Sequence, residues 1–151
     1  MEKIFVYGTL RKGMYDYDQY LRDEQSFRDY AYIKGSLMTI TGVDTPAYLD
    51  EGKDMILGEI HEVSDEALQA IDLLKGYINE GNPKNKFDKK VCPVYDEKRN
   101  IIDYALVYIY NMENPLNIDL LGDDIEGHDY VKYIQESEYK KRMFDFSMCE
   151  E

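Results

Sequence analysis

The residues best suited to chemistry lie at the start of the chain, in Tyr7-Gly8-Thr9-Leu10. Gly8 lets the backbone approach a neighbour closely or adopt positive φ. The N–H groups of Gly8, Thr9 and Leu10 can then converge on an anion or a carbonyl oxygen. On spacing alone the plainer alternative, that Gly8 simply ends a strand, is the better reading, because one glycine is weak evidence. His61 falls in a strand-like run and reads as a partly exposed strand residue rather than a catalyst. Cys92 and Cys149 lack metal-ligand or redox spacing, and Cys92 reads as a small buried hydrophobe.

These residues must be positioned by regular elements. Ile4 to Tyr7 are β-branched or aromatic and predict a short buried strand leading into the glycine. Tyr15 to Asp29 reads as a short helix or an irregular loop. Tyr30–Gly35 and Ser36–Ile40 read as strands, or as one strand with a bulge at the glycine. Asp50–Asp54 reads as a polar turn, and Met55 to Val63 alternates as a strand does. Ser64 followed by Asp65 and Glu66 starts a helix: the serine caps it and the acids suit its dipole. Ala67, Leu68, Ile71 and Leu74 form the apolar face, and Gly76 stops the helix. Val91–Tyr95 and Ile101–Tyr110 are strands around a turn at 96–100. Tyr130, Tyr133 and Ile134 predict a helix from about Asp129 to Phe144.

The 151 residues suit one domain spanning 1–151 with one core, and 44% hydrophobic content can build it without staples. A net charge of −13 argues against a broad nucleic-acid-binding face. No apolar run is long enough to span a membrane. The chain enters a strand directly, without a signal-peptide pattern, so a cytoplasmic protein with reduced thiols is expected. The 15 tyrosines can turn rings to the core and hydroxyls to water or a ligand.

The string Phe5-Val6-Tyr7-Gly8-Thr9-Leu10-Arg11-Lys12-Gly13 resembles the opening signature of the γ-glutamylcyclotransferase-like (AIG2-like) family. Thr45-Pro46-Ala47-Tyr48-Leu49 resembles its pocket-lining segment, although Pro46 also reads as the start of a strand. Met55–Val63 resembles its Gly-Glu strand. Ala70–Tyr77 resembles its Leu-Asp-x-Leu-Glu-Gly-Tyr, and Asn82-Pro83 with Phe87-Asp88-Lys89 its Pro-containing loop and Tyr-x-Arg. Ala105–Tyr110 resembles its late strand, and 123–133 its tail. The order of these motifs from residue 4 to about 134 is more specific than any one of them.

The resemblance implies an α+β fold: a small mixed, curved sheet or β-barrel with flanking helices. It implies release of 5-oxoproline from γ-glutamyl amides, with the substrate's α-amino group attacking its own γ-carbonyl. The enzyme's tasks are then to fold the substrate back on itself, stabilise an oxyanion and move protons. The implied ligand-binding residues are Tyr7, Gly8, Thr9, Leu10, Pro46, Ala47, Tyr48, Lys75, Tyr77 and Tyr108. No cofactor and no metal is expected, and the expected partner is a small γ-glutamyl compound or another anion. Nucleic-acid polymers and membranes are not expected partners.

Where the family carries its proton-moving Glu, this chain has Lys75. An ordinary lysine is protonated at neutral pH and accepts a proton only if burial or nearby cations lower its pKa. Lys75 also suits the last helical turn through the dipole alone. Glu80 and Glu51 in nearby loops, and Asp72 one turn back, are the substitute acids. The alternative function is a non-catalytic binder of an anionic metabolite or nucleotide, with Lys75 and the amides holding charge.

Overall fold

A computed structural model describes residues 1–149. The elements are β1 (Glu2–Val6), α1 (Tyr15–Tyr20), β2 (Phe27–Ile40), β3 (Ala47–Val63), α2 (Asp65–Leu74), β4 (Phe87–Tyr95), β5 (Ile101–Tyr110), α3 (Pro115–Leu120), β6 (Leu121–Asp124) and α4 (Tyr130–Cys149). A 3₁₀ turn, Arg22–Glu24, follows α1, and another, Glu126–His128, precedes α4.

The strands form a six-stranded sheet in the order β3-β1-β5-β4-β2-β6, and β3 also pairs with β2. That extra pairing brings the curved sheet back on itself. The sheet is mixed: β1 runs parallel to β5 and antiparallel to β3. The α+β architecture with a strongly curved mixed sheet is therefore present. Inward residues of β1, β2, β3 and β5, including Phe5, Ile33, Ile56, Ile60 and Val107, pack into one buried cluster. A second cluster joins Ile4, Val6, Leu10, Ile71, Phe87, Tyr108 and Tyr110, and lies under α2.

Most expected elements are found, with informative differences. β2 is one strand, and its register against β3 shifts between Gly35 and Ser36, where a bulge was expected. Asp50–Asp54 is not a separate turn, because β3 continues through it. The ladder nevertheless jumps from Leu49 to Asp54 opposite those two β2 residues, so 50–53 bulge out of the pairing. The segment after residue 14 resolves into α1 and a 3₁₀ turn. α4 extends past the expected end near Phe144. Neither α3 nor β6 was expected. Asn114 caps α3, accepting from the Leu116 N–H at 3.1 Å, and Pro115 occupies the first turn.

α2 follows its sequence signals closely. Ser64 Oγ accepts from the Ala67 N–H at 3.2 Å. At the other end Gly76 takes φ +64°. The Gly76 N–H reaches the Leu73 carbonyl at 3.1 Å and the Tyr77 N–H reaches that of Asp72 at 2.9 Å. This paired closure ends the helix and fixes where Lys75, the residue before the glycine, projects. No described helix is long and apolar enough to cross a membrane.

Candidate active site

β1 ends at Val6, and the chain turns sharply at Gly8, where the Arg11 N–H closes onto the Gly8 carbonyl at 3.0 Å. A Cβ on Gly8 would lie 2.7 Å from Cδ of Pro46, so this close approach requires glycine. Among the described residues, no main-chain or side-chain acceptor pairs the N–H groups of Gly8, Thr9 and Leu10. They remain free to serve a ligand.

The Tyr7 hydroxyl donates to the Tyr108 carbonyl at 2.6 Å, fastening the turn to β5. The Tyr7 and Tyr48 rings stand 5.5 Å apart. Burial raises the pKa of both phenols, so both stay neutral. The Tyr108 hydroxyl donates to Asp72 at 2.6 Å, and Lys89 Nζ donates to the same carboxylate at 2.9 Å. Lys89 also lies over the Tyr77 ring, 4.7 Å from its centroid.

Lys75 is 6% exposed. Its Nζ stands 5.2 Å from the Phe87 ring centroid. Together with Tyr7, Gly8, Leu10 and Tyr108 it lines a small void, about 10 Å³ in volume. No carboxylate lies within ion-pair distance of Lys75 among the described residues. Burial pushes its pKa down to about 8, partly opposed by Asp16 and reinforced by the Lys86 charge.

The structure thus gathers Tyr7, Gly8, Leu10, Lys75 and Tyr108 around one void, with Pro46 against Gly8 and Tyr48 against Tyr7. Ala47 is buried at the start of β3. Thr9 does not line the void, and its hydroxyl donates to Asp16 in a very short hydrogen bond. Tyr77, Glu51 and Glu80 line a different, open groove of about 750 Å³ along β3 and β4. Asp72, through Tyr108 and Lys89, is the join between void and groove.

Two features escaped the sequence reading. Asp16 is buried beside Thr9 and acts electrostatically on Lys75, yet nothing in Tyr15-Asp16-Tyr17-Asp18 distinguishes it from Asp18. The second is a buried polar chain beneath the turn. His61 is fully buried, not partly exposed, because its ring nitrogens meet Ser26 Oγ at 2.8 Å and Glu59 Oε1 at 3.0 Å. Glu59 also accepts from the Lys12 N–H at 2.9 Å and from Arg11 Nε at 3.3 Å. Arg11 in turn reaches Asp129 at 2.7 Å. The chain therefore locks the residues just after the turn to β3 and to the start of α4. Cys92 is buried and free, as its setting suggested. No cluster of three His, Cys, Asp or Glu side chains is placed to hold a metal among the described residues.

With this geometry in hand, comparison with known proteins defines the class. Residues 4–142 match the family described as gamma-glutamyl cyclotransferase, AIG2-like, and the chain belongs to that family. It is 35% identical over 116 residues to the gamma-L-glutamyl-butirosin B gamma-glutamyl cyclotransferase of Niallia circulans, covering 77% of this chain and 71% of that one. The fold is similar to that of an AIG2-like protein from Mus musculus, with a TM-score of 0.61, 20% identity and coverage of 83% and 88% of the two chains. It is also similar to YkqA from Bacillus subtilis, with a TM-score of 0.64 and 22% identity. That match covers 91% of this chain but only 42% of the longer one.

Proposed function

We propose that this protein releases 5-oxoproline from γ-glutamyl amides by cyclising the glutamyl group onto its own α-nitrogen. The observation that carries this reading is that Gly8 and Leu10, whose N–H groups have no acceptor among the described residues, line one void with Lys75, in a chain of this family. Tetrahedral collapse at the γ-carbonyl puts negative charge on oxygen. Main-chain donors fixed in advance stabilise that charge without reorganising. Holding the α-amino group against the γ-carbonyl makes the attack intramolecular, which supplies much of the barrier reduction. The name of the Niallia circulans relative fits a substrate with a γ-glutamyl group on an amine.

The void is close to the size of one water. A glutamyl group needs more room than this, so this reading requires the walls of the void to move apart on binding.

Incubating the purified protein with γ-glutamyl amides and separating the products by chromatography tests the reading. Equal amounts of 5-oxoproline and free amine are expected. Tight binding without turnover would favour the second reading, a non-catalytic anion binder. The unpaired cationic form of Lys75 beside free amides speaks for it.

A further inference from the structure

We propose that Lys75 is the proton-moving residue of this chain, taking protons from the substrate's α-nitrogen and delivering them to the departing amine. The inference rests on the cyclising activity proposed above and assigns its missing acid–base group. Glu51 and Glu80, the obvious acids, sit in the open groove and do not line the void. Asp72 is committed to the Tyr108 hydroxyl and to Lys89. Asp16 accepts from the Thr9 hydroxyl and does not line the void. Lys75 is the ionisable side chain that lines the void without a hydrogen-bonding or ion-pairing partner among the described residues.

The surroundings favour an amine that gives up its proton readily. Phe87 walls the nitrogen on one side. The ionisable groups acting on it or sharing its void are Asp16 from α1, Lys86 just ahead of β4, Tyr7 after β1 and Tyr108 from β5. Both phenols are held neutral, so the opposing charges of Asp16 and Lys86 set the balance against burial. A pKa near 8 suits a base working a little above neutrality.

The steps balance. Neutral Lys75 takes one proton from the α-ammonium, and the freed amine attacks the γ-carbonyl carbon, forming the ring N–C bond. Collapse of the oxyanion breaks the amide C–N bond while Lys75 returns that proton to the leaving nitrogen. Lys75 then takes the second proton from the ring nitrogen and passes it to the released amine. It ends neutral, and no other reactant is consumed.

The test is the pH profile of kcat/KM for 5-oxoproline release by wild type, Lys75→Met, Lys75→Arg and Lys75→Glu, with thermal unfolding to confirm folding. The proposal expects a wild-type rise centred near pH 8 and losses of roughly 100-fold or more in Lys75→Met and Lys75→Arg. It also expects the rising limb of Lys75→Glu to move to lower pH, so that this variant overtakes wild type near pH 6. Because the substrate amine titrates identically in every sample, a shift of that limb belongs to residue 75. An active wild type with Met and Arg variants within tenfold of it overturns the assignment and leaves the cyclising activity standing. A silent wild type overturns both.

Discussion

Lys75 Nζ stands 5.2 Å from the Phe87 ring centroid, with no carboxylate within ion-pair distance among the described residues. Burial of this lysine opposes its charge, so the site is built against the stability of its own cation. Its pKa is lowered from 10.5 to about 8 in the folded chain. Below pH 8 both folded and unfolded forms hold the proton, and the folded state bears the full penalty. Between 8 and 10.5 the unfolded chain binds more protons, so stability rises with pH. Lys75→Met should therefore be more stable than wild type at pH 7 by about 3 kcal/mol. The gap should shrink toward pH 10. Denaturant unfolding of both proteins at the two pH values checks this, and an unchanged gap would refute it.

Glu59 shows the opposite sign. Burial works against its carboxylate, but hydrogen bonds from His61 and the Lys12 N–H, with the Arg11 charge, outweigh burial and lower its pKa from 4.5. Its contribution is complete above the unfolded value of 4.5 and fades as pH falls through the lower folded value. Glu59→Ala leaves Arg11 with Asp129 alone and strands the Lys12 N–H; the expected loss at pH 7 is about 3 kcal/mol. Unfolding curves at pH 7 and pH 3 should show that difference narrowing in acid.

Much of this arrangement was readable and some was not. The strand leading to Gly8, the cap at Ser64 and the stop at Gly76 follow from local rules, and the structure obeys them. The family's ordered motifs carried the curved mixed sheet. The buried chain around His61 was illegible because, although Glu59 is only two residues away on β3, Ser26 and Arg11 come from distant parts of the sequence and reach His61 and Glu59 only in the folded chain. Asp16 was missed for a related reason: the Thr9 turn, not its own neighbours, selects it. Glu51 and Glu80 were expected in loops near Lys75, but they line the groove along β3 and β4 and not the void.

Gly8 should tolerate no side chain. A Cβ there meets Cδ and Cγ of Pro46 at 2.7 and 2.8 Å, inside contact distance. Gly8→Ala should destabilise the fold by about 1–3 kcal/mol and shift the Gly8 backbone that lines the void. Loss of 5-oxoproline release in a variant that remains folded by circular dichroism is the expected result.

Asp72 joins two tyrosines through one carboxylate. It accepts from Tyr108 at 2.6 Å and from Lys89 at 2.9 Å, and Lys89 covers the Tyr77 ring. Removing the acceptor strands a buried phenol and a half-buried ammonium, so Asp72→Ala should lose about 2 kcal/mol. Tyr108→Phe should lose less, and the double variant should fall short of the sum. A double-mutant cycle by denaturant unfolding measures that coupling.

The central claim is that the substrate's own α-nitrogen is the nucleophile. The most direct measurement follows amine release from a γ-glutamyl amide and from the same compound with its α-amino group acetylated. The first should give 5-oxoproline and free amine, and the second neither product. Equal amine release from both would mean that water attacks the γ-carbonyl, and would contradict that claim.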